Sequence, residues 1–208
     1  MQNIIITGAS HGIGRALTKK LSKKYHIINI DIVENKMDKV DFYKCDLSDK
    51  SKLLKTIEKI KTNIDSLYAL INNAALFSSK SLEKQTLEEW ENIISINLTA
   101  PYILSKEFAS MLKQSKGHII NISSTRASMS ESGTESYSAS KGGISSLTHA
   151  LAITLSPDVK VNSISPGWIN TNEEYLPTKV DNEQHPSGRV GTPDDIVYTV
   201  KFLLKNKG

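Results

Sequence analysis

Residues 3 to 31 read NIIITGASHGIGRALTKKLSKKYHIINID, and they carry the clearest secondary-structure pattern of the chain. A run of isoleucines ends at a glycine, a lysine-rich segment with leucines at helical spacing follows, and a second β-branched run closes the stretch. This order predicts a strand, a helix and a second strand. Because such a crossover returns the chain to the same sheet, we expect the two strands to be parallel.

The same alternation continues through the chain. Further strands are expected near Phe42 to Cys45 and at SLYALINNAA (66–75), HIINISS (118–124) and VKVNSIS (159–165). Helices are expected at Ser48–Lys61, Leu87–Asn97, Pro101–Gln114, Ser136–Leu155 and Pro193–Lys205. Regular alternation predicts an α/β fold with a doubly wound (Rossmann) parallel sheet and helices on both faces, a three-layer sandwich. We expect residues 1–208 to form a single domain, since 208 residues are compatible with one core.

Composition argues against several classes of protein. The formal charge is +4, but the lysines alternate with apolar residues at helical spacing, so we interpret them as solvated helix faces and expect no nucleic-acid partner. The first apolar run is too short for a signal peptide or a membrane span, so no membrane association is expected. The single cysteine, Cys45, cannot form an internal disulfide, which is typical of a cytoplasmic protein.

The turn TGASHGIG between the first strand and the first helix is typical of a phosphate-binding turn. Gly8 permits the tight turn, Gly12 lets the backbone approach a pyrophosphate, and Gly14 lets helix and strand pack closely. Asp31 ends the second strand, where a carboxylate can bind the adenosine ribose hydroxyls and repel a 2′-phosphate. His11 is not a permanent cation that could offset this repulsion, so NAD is favoured over NADP. The alternatives are an ordinary glycine turn and a solvated carboxylate.

Tyr137 and Lys141 lie four residues apart in SYSASKGG, so both side chains project from one face of a helix. A neighbouring ammonium favours the phenolate, which makes Tyr137 a candidate general acid and base. Ser124 stands at the end of a predicted buried strand, where its hydroxyl can hold a substrate oxygen. Each of these residues alone has a structural explanation; their occurrence together with the phosphate-binding turn favours catalysis.

These motifs resemble the short-chain dehydrogenase/reductase family, in its compact single-domain form. TGASHGIG resembles the family's cofactor turn, CDLSD (45–49) its adenine segment, NNAA (72–75) its N-N-A-G motif with Ala75 in place of glycine, and SPGWINT (165–171) its nicotinamide segment. The resemblance implies an NAD-binding set consisting of Gly8, Ser10, His11, Gly12, Ile13, Gly14, Asp31, Asp46, Leu47, Asn73, Ala74, Ala75, Tyr137, Lys141, Pro166, Gly167, Ile169 and Thr171.

The resemblance also implies a catalytic tetrad. Asn97, in SINLTAPY, completes the set with Ser124, Tyr137 and Lys141, and is expected to hold a water that links Lys141 to bulk solvent. Ser124 is chosen because it stands thirteen residues before Tyr137, the family's usual separation, and Ser123 is the alternative. The implied reaction is reversible hydride transfer between NAD and a small-molecule secondary alcohol or ketone. A non-catalytic dinucleotide-binding sensor or scaffold is the competing hypothesis.

Two features depart from the family pattern. The family's final strand is not found before the chain stops at Gly208, and residues 172–189, where the family varies its substrate loop, are short and polar. In the family, the helices corresponding to Pro101–Gln114 and Ser136–Leu155 form subunit contacts, so a homodimer or homotetramer is expected, although core burial explains their apolar residues equally well. The five histidines show no metal-ligand spacing, so no metal is expected, and no particular substrate is indicated.

Overall fold

A computed structural model describes residues 1–34 and 36–206. Within them, the chain forms one sheet of parallel strands in the order β3-β2-β1-β4-β5-β6. The strands are β1 (Asn3–Thr7), β2 (His26–Asp31), β3 (Val40–Lys44), β4 (Ala69–Asn72), β5 (His118–Ile122) and β6 (Lys160–Ile164). The order reverses beside β1, as in doubly wound sheets, so a ligand-binding crevice is expected there at the carboxyl edge.

Helices surround this sheet. They are α1 (Gly12–Leu21), α2 (Lys50–Asn63), α3 (Leu87–Ile94), α4 (Ala100–Glu107), α5 (Ala109–Gln114), α6 (Glu135–Leu155), α7 (Lys179–Glu183) and α8 (Pro193–Lys205). Short 3₁₀ turns lie at Leu82–Lys84 and Thr125–Ala127, and a π-helical segment lies at Ser95–Thr99. The predicted α/β Rossmann-like fold is therefore confirmed.

The isoleucines of β1 show why the sheet is covered on both faces. Ile4, Ile5 and Ile6 are all completely buried, although neighbouring side chains of a strand point to opposite faces. Ile5 packs in a core cluster with residues of α2, α4 and α5, whereas Ile4 and Ile6 pack in a second cluster with residues of α1 and α8. A nearly continuous apolar strand thus requires helices on both sides.

The structure corrects several predicted boundaries. The helices predicted at Leu87–Asn97 and Pro101–Gln114 are not separate, because α3 continues through the π-helical segment into α4. Pro101 is the second residue of α4 and directly follows the π-helical segment, and the helical path is interrupted only at Phe108. The helix α7 was not predicted.

Two further expectations concern membrane association and the family's final strand. The described residues contain no helix that is long and apolar enough to cross a bilayer. The expectation about the family's final strand concerns the end of the chain, which lies outside the described residues.

Candidate cofactor and catalytic site

The glycine turn holds the amino end of α1 close to the sheet. Gly8 and Gly12 both have positive φ, +65° and +50°, in the region that favours glycine. A Cβ at Gly14 would lie 2.0 Å from the carbonyl oxygen of Gly8, so helix and strand could not approach as they do. His11 is the N-cap of α1 but gives it no side-chain cap, and the first turn contains no acidic residue. The free N–H groups of this helix end suit an anion.

Two side chains connect this turn to the end of β4. The Thr7 hydroxyl oxygen accepts hydrogen bonds from the backbone N–H groups of Asn73 and Ala74, each at 3.0 Å. In return, the Asn73 amide donates to the carbonyl oxygens of Thr7 and Gly8, also at 3.0 Å. The sequence predicted Asn73 as a cofactor-binding residue, but its side chain positions the turn. Thr7 was not predicted.

Asp31 lies at the end of β2, where its carboxylate is fixed by backbone donors. Oδ2 accepts from the Ser10 N–H at 3.0 Å, and Oδ1 accepts from the N–H groups of Ile32 and Val33 at 2.7 and 3.3 Å. The buried Ser10 hydroxyl donates to the carbonyl oxygen of Val33. These bonds orient the carboxylate, and its oxygens keep further lone pairs for a ligand.

A cavity of about 580 Å³ opens between these elements at the carboxyl edge. It is lined by the predicted cofactor residues Gly8, His11, Gly12, Ile13, Asp31, Asp46, Leu47, Asn73, Ala74, Ala75 and Thr171. It is also lined by residues that the sequence did not indicate: Ile30, Ile32, Cys45, Ser48, Leu76, Asn92 and Ile96. The described lining includes two carboxylates but neither lysine nor arginine.

Some predicted cofactor residues lie outside this lining: Ser10, Gly14, Tyr137, Lys141, Pro166, Gly167 and Ile169. Ser10 and Gly14 act on the glycine turn itself. The Ser10 N–H binds the Asp31 carboxylate, and Gly14 permits the close approach to the Gly8 carbonyl oxygen. Pro166 accepts a hydrogen bond from the backbone N–H of Thr125 at 2.9 Å, which joins the segment after β6 to the Ser124 turn. Thr171 lies against the glycine turn, where its Cγ2 is 3.1 Å from the position of a Cβ built on Gly12.

Lys141 is buried in α6, and 2% of its surface is exposed. Its ammonium donates a 2.7 Å hydrogen bond to the carbonyl oxygen of Ile122 and lies 5.6 Å from the centroid of the Tyr137 ring. Burial lowers the pKa of Lys141 to about 8. The ammonium is therefore mostly charged at neutral pH, although its burial disfavours the charged form.

The two serines after β5 have different surroundings. The Ser123 hydroxyl donates to the carbonyl oxygen of Lys141 at 3.0 Å and lies 3.2 Å from the Ser145 hydroxyl, so it serves the packing of α6. The Ser124 hydroxyl caps the following turn by accepting from the Arg126 N–H at 3.1 Å, and it lies near enough to the Tyr137 phenol to lower the pKa of that group. The structure therefore places Ser124, rather than Ser123, beside the phenol.

The surroundings of Tyr137 shift its pKa upward. Burial raises the pKa of the phenol, and the nearby Ser124 hydroxyl and the positive charge of Arg126 act in the opposite direction with smaller effect. Its ring also contacts Phe77 edge-on, with the centroids 5.0 Å apart. From the spacing of Tyr137 and Lys141 we expected the ammonium to favour the phenolate. The protein's own residues instead raise the pKa of Tyr137, so they favour the neutral phenol.

Asn97 lies in the π-helical segment with 1% of its surface exposed. Its Oδ1 accepts from the Leu76 N–H at 2.8 Å, and its Nδ2 donates to the Leu76 carbonyl oxygen at 2.9 Å and the Ser140 hydroxyl at 3.0 Å. Ser140 in turn donates to the Tyr137 carbonyl oxygen at 2.7 Å. Asn97 thus connects Leu76, in the loop that lines the cavity, to Ser140 on α6, and both of its amide hydrogens are already used. A water that connects Asn97 to Lys141 therefore has to donate a hydrogen bond to an oxygen atom of Asn97.

The segment after β6 contains the expected substrate loop. Trp168 contacts Tyr175 and His185, with ring centroids 6.0 and 5.9 Å apart, and Ile169 forms a bridge with Gly191.

The described residues contain no group of three or more histidine, cysteine or acidic side chains that could hold a metal ion.

Comparisons with known proteins agree with this geometry. Residues 2–175 match the family described as short chain dehydrogenase. An uncharacterized oxidoreductase of Thermotoga maritima is 43% identical, over 98% of this chain and 88% of the relative. A 3-oxoacyl-[acyl-carrier-protein] reductase FabG of Aquifex aeolicus is 31% identical, over 96% of this chain and 88% of that protein.

Solved structures show the same likeness. An apo SCOR enzyme from Clostridium thermocellum superimposes with a TM-score of 0.92 at 39% identity, covering 99% of this chain and 87% of that one. A 4-hydroxyisoleucine dehydrogenase complexed with NADH gives 0.91 at 31% identity, covering 100% and 92%. The chain belongs to the short-chain dehydrogenase/reductase family, as its motifs predicted, and it is an oxidoreductase of that family.

Proposed function

We propose that this chain is an NAD-dependent oxidoreductase that interconverts a secondary alcohol and a ketone. The observation that carries the proposal is the meeting of Ser124, Tyr137 and Lys141 at the carboxyl edge of the sheet, beside the turn that forms the cavity. The cavity extends to Leu76, which is bonded to Asn97, and the next residue, Phe77, contacts the Tyr137 ring. The loop after β4 therefore joins the cavity to the proton-donating Tyr137.

The residues of the cavity fit a dinucleotide. The uncapped amino end of α1 and the backbone of Gly12 suit a pyrophosphate, while Asp46 and Leu47 are suitably placed for the adenine. Pro166, Gly167, Ile169 and Thr171 are proposed to bind the nicotinamide end. A bound nicotinamide supplies or accepts the hydride.

The charge of the cavity supports NAD rather than NADP. The Asp31 carboxylate is oriented by Ser10, Ile32 and Val33, and the described lining offers no lysine or arginine to neutralise a 2′-phosphate. A carboxylate facing a phosphate is repulsive, whereas it can accept hydrogen bonds from ribose hydroxyls. The NADH complex of the 31% identical dehydrogenase agrees with this assignment.

The protein's own groups would manage the proton. In the reducing direction, the Tyr137 hydroxyl donates its proton to the carbonyl oxygen of the substrate, and the Ser124 hydroxyl holds that oxygen. The resulting phenolate is unfavourable in a buried site, so the charged Lys141, 5.6 Å from the ring centroid, is needed to stabilise it. In the oxidising direction the same groups act in reverse.

The substrate is proposed to be a small molecule, and the protein a cytoplasmic homo-oligomer. Tyr102 on α4 and Ile153 on α6 are 49% and 70% exposed, as suits helices that pair with a second copy.

The experiment that tests the proposal is a panel of ketones mixed with NADH and NADPH in parallel, followed by the loss of reduced-cofactor fluorescence. Turnover of at least one ketone with preference for NADH supports it. Preference for NADPH would show the Asp31 argument to be wrong. Tight NADH binding without turnover across the panel would favour the sensor or scaffold.

A further inference from the structure

A second cavity, of about 550 Å³, lies at the opposite edge of the sheet. Its lining residues precede the strands: Gln2 comes before β1, Tyr25 before β2 and Tyr68 before β4, while His118 begins β5 and Lys160 begins β6. Because the strands are parallel, their amino ends share one edge and the cofactor cavity lies beyond the other. A strand of five residues separates the edges by about 16 Å.

This amino-edge cavity is strongly basic. Lys24, Lys116, Lys160 and Lys205 line it, and no aspartate or glutamate is among its described lining residues. None of the four forms an ion pair in the described part of the chain, although Lys20, Lys52, Lys61, Lys80, Lys106 and Lys179 do. Clustered cations with no counter-charge produce a positive potential inside a concave wall, which concentrates anions.

The floor of the cavity contains a buried polar group without a partner. His118 is 4% exposed, and its Nδ1 has no hydrogen-bond partner among the residues that the structure describes. Tyr68 packs edge-on against the His118 ring at 5.3 Å between centroids and stacks on Tyr25 at 5.7 Å, so the imidazole is fixed in place. A buried ring nitrogen left unpaired is unusual in a folded protein and indicates a missing interaction.

We propose that the amino-edge cavity binds a small polyvalent phosphate. Four ammonium groups exceed what a single carboxylate or monovalent ion can neutralise, whereas a molecule with two phosphate groups can contact several lysines at once. The aromatic and aliphatic walls formed by Tyr25, Tyr68 and Leu204 leave room for an organic portion of the ligand. The proposal does not depend on the oxidoreductase function, because none of these residues lines the cofactor cavity.

The test is isothermal titration of the full chain with inorganic pyrophosphate at fixed ionic strength and in saturating NADH, which occupies the pyrophosphate-binding turn of the cofactor cavity. Three proteins are compared: the wild type, Lys116→Gln/Lys160→Gln, and the charge-matched control Lys55→Gln/Lys59→Gln on the exposed face of α2. We expect one saturable site in the wild type and the control, and at least about tenfold weaker binding in the amino-edge variant. Equal affinity in all three proteins, equal weakening in both variants, or no saturable binding at millimolar pyrophosphate would overturn the proposal.

A second measurement does not depend on the variants folding. In the wild type, the imidazole nitrogen signals of His118 should shift on addition of pyrophosphate, while those of the exposed His149 on α6 should not. Equal shifts of both histidines, or no shift of His118, would contradict binding in this cavity.

Discussion

The two edges of the sheet contain cavities of similar size and opposite character. The carboxyl-edge cavity, about 580 Å³, is lined by two carboxylates and glycine-rich backbone, whereas the amino-edge cavity, about 550 Å³, is lined by four lysines. At the carboxyl edge the backbone and the end of α1 supply the donors for an anion, so side chains such as Asp31 are free to discriminate between cofactors. At the amino edge the positive charge comes from side chains alone.

The carboxyl-edge cavity is therefore suited to selecting one ligand, and the amino-edge cavity to attracting anions in general. Fixed backbone donors and an oriented carboxylate distinguish ligands that differ by one phosphate, whereas flexible ammonium groups attract any polyanion. If this account is right, changes at the carboxyl edge should alter chemistry and cofactor choice, and changes at the amino edge should leave both intact.

The largest effect is expected for Tyr137→Phe. Removing the hydroxyl eliminates the proton donor, so turnover of a ketone should fall about 10²–10⁴-fold with little change in the dissociation constant for NADH. Steady-state kinetics and fluorescence titration measure the two quantities. The amino-edge variant Lys116→Gln/Lys160→Gln is the control and should keep wild-type turnover. A Tyr137→Phe protein that turned over normally would remove this residue from the mechanism.

Gly14→Ala tests the packing of the carboxyl edge. The new Cβ would meet the Gly8 carbonyl oxygen at 2.0 Å and the Asn73 amide at 2.7 Å, so α1 must move away from the sheet. We expect a loss of about 1–3 kcal/mol in the free energy of unfolding, measured by urea denaturation.

Gly142→Ala is the matched control for this substitution. Its Cβ would meet nothing closer than the Ala127 carbonyl oxygen at 3.7 Å, and a helix-interior alanine is favoured by about 0.5–1 kcal/mol. Equal destabilisation by both substitutions would mean that the close approach at Gly14 is not what matters.

Asp31→Asn tests cofactor choice. The amide oxygen can still accept from Ile32 and Val33, although the hydrogen bond from Ser10 is lost. Because the negative charge is also lost, kcat/KM with NADPH should rise about tenfold or more relative to NADH. Asp46→Asn is the comparison, since it removes the other carboxylate of the cavity, whose Oδ1 is bonded to Ser48. A similar shift in preference for both variants would assign selectivity to the total charge rather than to Asp31.

The smallest expected effect is on stability, in Lys141→Met. Burial of the ammonium destabilises the native state, and this is partly offset by its hydrogen bond to Ile122, so the variant should be more stable by about 1 kcal/mol at pH 6. The folded pKa, about 8, lies below the ordinary value of 10.5, so the native state binds fewer protons between these values. The wild type should therefore gain stability relative to the variant as the pH rises from 8 to 10.5. A relative loss over this window, measured by denaturation at several pH values, would contradict the burial of a charged Lys141.

The fold was predictable because its signals are local. Alternating apolar runs and helical spacing identify β1, α1 and β2, and the isoleucines of β1 already imply two covered faces. The continuous path from α3 through the π-helical segment into α4 was not predictable. It depends on Asn97 reaching Leu76 and Ser140, which are distant in sequence.

The site was predicted as a set of residues but not as a set of roles. The roles of Asn73 toward the cofactor and of Asn97 toward a water stay predictions; the structure adds that their side chains bind the backbone of Thr7, Gly8 and Leu76. Thr7 is the first residue of the quoted TGASHGIG motif, but the sequence did not indicate that its hydroxyl binds the end of β4. The amino-edge cavity has no sequence signature, because its lysines come from separate elements and only the sheet brings them together.

The most direct test of the central claim is transfer of deuterium from cofactor to substrate. NADH carrying two deuterium atoms at C4 of the nicotinamide is incubated with the chain and the ketone panel, and the products are analysed by mass spectrometry. The account predicts an alcohol with deuterium on its carbinol carbon, formed by the wild type and not by Tyr137→Phe. Labelled NADH that binds but delivers deuterium to no product would contradict it.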